Sequence, residues 1–134
     1  MSERDDKIDI TEVLVRYATG IDRRDWPLFR TVFTTDCVLD YGDIGTWHGV
    51  DAVTEFMDQA HAMAGHTLHR LTSHAVTIDG DNATARTYID GLIMSADNAS
   101  GVNAVGFYDD ELVRTTSGWR IARRRFTPVR VVTV

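Results

Sequence analysis

The sequence predicts an α+β domain in which three helices come first and pack on one face of a curved, mainly antiparallel sheet. Two observations carry this. Apolar residues recur at three-and-four spacing through the first half, and runs rich in β-branched and aromatic residues, parted by turn signals, fill the second. A third, the absence of repeats or a linker in 134 residues, points to one domain over 1–134. In the first helix, Ile10, Val13, Leu14, Tyr17 and Ile21 share one face, and Gly20 weakens the helix near its end. Asp25 is a candidate N-cap for the second, with Pro27 tolerated in the first turn and Leu28, Phe29, Val32 and Phe33 as the apolar face. "DCVLDY" reads as a strand, "GDIG" as a turn and "TWHG" as a returning strand. A third helix begins at Asp51, with Ala52, Val53, Phe56, Met57 and Ala60 as its stripe. "HTLHRLTSHAVTI", "ATARTYIDGLIM", "GVNAVGFYDDELV" and "WRIARRRFTPVRVV" read as four strands, the first pair joined at "DGDN". Such a sheet can enclose a pocket against the helices.

Composition narrows the function. A net charge of −6, from 14 basic and 20 acidic residues, argues against nucleic acid as the main partner, although "RIARRRF" forms a local basic strip. The single cysteine, Cys37, forms no intrachain disulfide and suits a reducing cytoplasm. The charged start "MSERDDKIDI" is unlike a signal peptide, and no apolar run approaches the roughly 20 residues that span a bilayer. A cytoplasmic protein without a membrane partner is expected.

"RYATGIDRRDW" holds the first chemical candidate. At about 100° per residue, Asp9, Glu12, Arg16 and Arg23 gather on a solvated stripe. Asp22 falls instead beside Thr11, Val15 and Ala18, at the edge of the core. It is either a solvated helix-end acid near Arg23 and Arg24 or a desolvated carboxylate with an altered pKa. Of the five histidines, His48, His61, His66, His69 and His74, no pair has a recognised metal spacing, so no metal site is expected. His69 begins a long strand. His69 and His74 have opposite parity, so both face inward only across a bulge. Tyr17 lies on the apolar face of the first helix, where its hydroxyl needs a partner, and Tyr41 ends the first strand. No nucleophile elbow or phosphate-cradling glycine loop is present.

The pieces "YATGIDRRDWPLFRTVFTTDCVLDY", "WHGVDAVTEFM", "TLH", "IDGDNATARTY" and "GFYDDELVRTTSGWRIARRR" occur in this order over nearly the whole chain. Together they resemble the SnoaL-like branch of the nuclear transport factor 2-like superfamily. The sequence is most similar to a group that includes scytalone dehydratase, bile acid 7α-dehydratase and hexachlorocyclohexane dehydrochlorinase. The resemblance implies a cone-like barrel with a deep pocket. It implies a cofactor-independent lyase acting on a small hydrophobic cyclic molecule, and a homodimer or homotrimer formed through the sheet. It places Asp22 and His69 as the family dyad, with Tyr17 and Tyr41 as donors to a substrate oxygen. The family arginine of the last strand falls at Pro128, flanked by Arg125 and Arg130. Two other readings stay open: an isomerase- or cyclase-like proton shuttle on Asp22 alone, and a non-catalytic binding or assembly module.

Overall fold

The N-terminal residues are built to start a helix. The Ser2 hydroxyl accepts the Asp5 N–H and the Asp5 carboxylate accepts the Ser2 N–H, a reciprocal cap. Glu3, Asp5 and Asp6 fill the first turn, where the helix dipole favours negative charge. The computed structural model describes residues 2–134, and its first helix, α1, runs Glu3–Asp22. The face read from spacing is the buried one: Ile10, Val13, Leu14, Tyr17 and Ile21.

Gly20 does more than weaken the end of α1. A Cβ there would stand 2.9 Å from the Phe29 backbone, so the missing side chain lets α2 (Trp26–Arg30) lie directly on α1. Gly20→Ala is expected to destabilise the fold by about 1–3 kcal/mol through overpacking, seen as a lower urea midpoint. An unchanged midpoint would mean that α2 moves aside freely.

Asp25 caps α2 by accepting the Leu28 N–H at 3.1 Å. The helix stops at Arg30, short of Val32 and Phe33, which spacing had placed on its face. Phe33 instead opens strand β1 (Phe33–Asp40) and aligns with Ile121 of β6 (Gly118–Thr133). The Ile121 N–H donates to the Val32 carbonyl at 2.8 Å, so a distant strand overrides the local period. A 3-10 turn at Gly42–Ile44 returns the chain to β2 (Thr46–His48). Helix α3 (Val50–His61) buries Val53 and Met57, whereas Ala52 and Ala60 of its expected stripe are exposed. It lies mainly beside β1, α2 and β2, and its last residue, His61, reaches the His69 ring of β3.

The remaining strands are β3 (Thr67–Asp79), β4 (Asn82–Met94) and β5 (Gly101–Thr115). The sheet order is β2-β1-β6-β5-β4-β3, with β1–β6 parallel and every other pair antiparallel. The sheet does not close into the expected barrel. Its edges, β2 and β3, stay apart, and α1 packs across β3 and β6 on the inner face.

Two register shifts decide which side chains face inward. In β3 the pairing with β4 slips between Thr72 and Ala75, and Ser73 takes φ 56°. Thr67, His69 and Leu71 face inward before the slip, and His74, Val76 and Ile78 after it. His69 and His74 therefore share a face, as only a bulge allows. In β6 the register with β5 slips between Glu111 and Leu112, so Trp119 and Ile121 point inward, then Arg124 and Phe126.

The start of α1 is pinned to the sheet through Asp6. Its carboxylate accepts Arg114 Nη1 at 2.8 Å, Arg114 Nη2 at 2.9 Å and Trp119 Nε1 at 3.1 Å. Arg114 holds the Asp6 carboxyl down at about 2, against 3.8 for an ordinary aspartate. A depressed native value stabilises the fold fully above the unfolded value, and that contribution is lost as pH falls through the native one. The melting-temperature gap between wild type and Asp6→Asn is expected to be widest above pH 4 and to shrink towards pH 2. A gap independent of pH would show that the Asp6 charge contributes nothing.

Candidate active site

Helix α1 ends at Asp22 against the first residues of β3. Asp22 Oδ1 lies 2.6 Å from His69 Nδ1, and Asp22 Oδ2 accepts the His69 main-chain N–H at 2.9 Å. The Thr67 hydroxyl donates to Asp22 Oδ1 at 2.9 Å. One carboxylate thus grips a side chain and the backbone of the same residue. Arg24 braces the group from behind. Its Nη1 donates to Thr67 Oγ1 at 2.8 Å and to the Asp22 carbonyl at 3.0 Å, and its Nη2 donates to the Gly65 carbonyl at 2.9 Å. Arg24 sits at φ 54°, a backbone strain that these bonds hold in place.

Burial pushes the Asp22 carboxyl up, but hydrogen bonds from the His69 ring, the His69 N–H and Thr67 outweigh it. Its pKa is lowered below the ordinary 3.8. An ionised carboxylate only accepts, so the hydrogen between the two side chains belongs to His69 Nδ1. In the neutral form of the ring, His69 Nε2 then carries the lone pair. The His69 side chain is 8% exposed and that of Asp22 22%.

Behind the dyad lies a polar cluster inside the apolar core. The Tyr17 ring meets the His69 ring edge-on at 5.9 Å between centroids. Tyr17 and Tyr41 hydroxyls are 3.2 Å apart, and Tyr108 donates to Tyr17 at 3.5 Å. Burial raises all three phenols above their ordinary pKa, so they are neutral donors. The Arg124 guanidinium lies 4.3 Å from the Tyr17 ring centroid and 3.9 Å from that of Tyr108. It forms a two-point bond to Asp110 at 2.8 and 2.9 Å, with both side chains fully buried. Arg124 Nη1 is left without a partner among the described residues. These buried groups occupy the space between helices and sheet.

The structure therefore brings Asp22 and His69 into contact and sets Tyr17 and Tyr41 one ring further in. Arg125 and Arg130, flagged from the sequence, are both exposed, and Arg125 faces Asp40 at 3.4 Å. Arg124 is the arginine that reaches the interior. Its signal was hidden in "RIARRRF", because the slip in β6 changes the inward parity. Thr67, Arg24, Tyr108 and Asp110 were likewise missed. His74 is half-buried, its Nδ1 3.1 Å from Thr87 Oγ1. Cys37 is buried, and desolvation pushes its thiol up to about 11, so it is a poor nucleophile. Among the described residues, no three His, Cys, Asp or Glu side chains are grouped as ligands for a metal. No helix among them is long and apolar enough to cross a membrane.

Known proteins are similar to this chain in sequence or in fold. An uncharacterized protein of Mycobacterium tuberculosis is 33% identical over 129 residues, covering 92% of this chain and 86% of the relative. The crystal structure of a candidate aromatic ring hydroxylase from Novosphingobium aromaticivorans is 29% identical and superposes with a TM-score of 0.91, covering 100% of this chain and 96% of that one. A candidate scytalone dehydratase from the same organism has a TM-score of 0.87 at 16% identity, covering 96% and 90%. A hexachlorocyclohexane dehydrochlorinase has a TM-score of 0.86 at 15% identity, covering 96% and 88%. The last two share the fold. The family model for the SnoaL-like domain matches residues 2–125, and the chain belongs to that family within the nuclear transport factor 2-like superfamily.

Proposed function

We propose that this protein is a cofactor-independent lyase that eliminates water, or another leaving group, from a small hydrophobic cyclic molecule. The observation that carries the reading is the 2.6 Å bond between Asp22 Oδ1 and His69 Nδ1, which leaves Nε2 as the base. Nε2 takes a proton from carbon, the C–H electron pair becomes the new double bond, and the leaving group departs with the electrons of its own bond. Asp22 stabilises the imidazolium that forms. Tyr17 and Tyr41, backed by the Arg124 charge, stabilise negative charge on a substrate oxygen. Substrate entry displaces the Tyr17–Tyr41 hydroxyl contact, because both phenols are buried.

The Asp22-only shuttle is disfavoured. Three donors hold the Asp22 carboxylate and its pKa is lowered, which is the wrong direction for a base that must carry a proton. The non-catalytic reading has one observation in its favour, the packing of Tyr17, Tyr41, Tyr108 and Arg124 into the interior. Incubation with cyclic β-hydroxy ketones decides between them. Growth of conjugated-enone absorbance that depends on His69 supports the lyase. No turnover across such a panel, with no ligand bound, supports the module.

We also propose a homodimer or homotrimer through the outer face of the sheet. The apolar residues Val76 and Ile78 of β3 do not serve it, because they pack inward against the core. The outer face instead offers exposed Leu68, Tyr88 and Val105. It also carries the ion pairs Arg86–Asp109 at 2.8 Å and Arg123–Glu111 at 3.4 Å, beside a trough of about 560 Å³. Light scattering at micromolar concentration is expected to return two or three times the chain mass; a monomer would refute it.

A further inference from the structure

One buried imidazole has no part in the chemistry above. His61, the last residue of α3, is 6% exposed. Its Nδ1 lies 2.7 Å from the Met57 carbonyl oxygen, one turn back in the helix. A carbonyl oxygen only accepts, so Nδ1 carries the hydrogen. Burial lowers the pKa of the ring, which is therefore neutral. Its Nε2 keeps a bare lone pair, on the ring edge turned away from the Met57 bond. That atom is buried and has no hydrogen-bond partner among the described residues. An orphaned buried acceptor is costly, and a ligand that supplies a donor relieves it. The His61 ring stands 6.0 Å from the His69 ring between centroids, and the Trp26 ring stands 6.3 Å from it. The orphan thus belongs to a residue packed against the dyad, one that the sequence offered only as a possible metal ligand.

We propose that His61 Nε2 is a binding subsite that accepts the hydrogen of a ligand hydroxyl held against His69, so that the site selects alcohols over ketones and halides. This rests on the reading of Asp22–His69 as a ligand-facing proton-transfer pair and names the leaving group of that reading. A hydroxyl carries a hydrogen for His61; a halide or a carbonyl oxygen does not. A carbonyl oxygen in the same place sets its lone pair against that of Nε2. With its hydrogen on His61, the hydroxyl keeps its oxygen lone pairs free for the proton on His69 Nε2. The C–O bond breaks, the oxygen takes that proton, and water leaves while His69 returns to its neutral form.

The experiment uses 1-tetralol and 1-tetralone, which share the bicyclic frame and the oxygen position, the alcohol alone carrying a donor. Binding to the full chain is followed by nitrogen-15 NMR of the histidine rings, in wild type and in His61→Phe, which keeps a ring but removes the acceptor. Wild type is expected to carry the hydrogen of His61 on Nδ1 and to bind the alcohol about tenfold more tightly than the ketone. The His61 Nε2 resonance should move with the alcohol alone, and the preference should vanish in His61→Phe. Equal binding of the two ligands by wild type, or a hydrogen found on Nε2, overturns the subsite and leaves the dyad reading standing. These wild-type results decide the matter even if His61→Phe does not fold. If neither ligand perturbs His61 or His69, the dyad is not a site for small cyclic molecules, and both readings fall together.

Discussion

His69→Gln is expected to lower turnover about 100- to 10,000-fold, the usual loss when a general base is removed, with the circular dichroism spectrum unchanged. Glutamine keeps much of the polar shape but cannot hold a proton near neutral pH. The fold should survive, because the main-chain N–H of residue 69 still donates to Asp22 Oδ2, a bond that does not depend on the side chain. Asp22→Asn should be equally damaging to rate for a different reason. An amide can offer its NH₂ to Nδ1, which favours the wrong tautomer, and it carries no charge to balance imidazolium. It should also lower the melting temperature, because the same carboxylate holds Thr67 and the start of β3. Single-turnover rates on a responding β-hydroxy ketone measure both variants. If His69→Gln keeps near-wild-type rate while Asp22→Asn is inactive, Asp22 is the base and an isomerase-like reaction replaces the elimination.

The largest effect on stability is expected at the Asp110–Arg124 pair. Both side chains are fully buried, so each charge is tolerated only through the other. Arg124→Met or Asp110→Leu alone should cost about 3–5 kcal/mol in urea unfolding, because the surviving charge is left without compensation. The double replacement should recover most of that loss, since a buried pair exchanged for apolar groups is often neutral. Acidity gives a second readout. Burial already raises the Asp110 carboxyl against the opposing pull of Arg124. Removing Arg124 raises it further, so the variant binds a proton on folding. A raised native pKa favours the fold below the unfolded value, and that advantage is lost as pH rises through the native one. The deficit of Arg124→Met should therefore be smaller near pH 4 than near pH 8. Additive single losses in the double variant would show that the two groups do not depend on each other.

The difference between what the sequence disclosed and what it hid follows the range of the interactions. Helix phase set Asp22 apart from the charged stripe of Asp9, Glu12, Arg16 and Arg23, because a helical period is local. The turn at "DGDN", the Asp25 cap and the four long strands were legible for the same reason. Val32 and Phe33 were misread because they continue the helical spacing of Leu28 and Phe29, while their partner, Ile121, lies on the last strand. Parity in β3 and β6 was hidden by register slips that only pairing with a neighbouring strand defines. Arg124 was therefore indistinguishable from Arg123 and Arg125, though one is buried and two are exposed. The resemblance supplied His69 as partner to Asp22; the strand position alone did not.

The double grip of Asp22 also bears on how related genes should be interpreted. Its carboxylate ties down both the main chain of residue 69 and the hydroxyl of Thr67, duties that an inert protein would still need performed. Selection for folding alone would keep an aspartate there long after any reaction had been abandoned. The imidazole of His69 has no such second duty to the backbone. In a genome survey the informative position is therefore 69. A homologue that retains the acid and has lost the ring is one in which architecture has outlived chemistry.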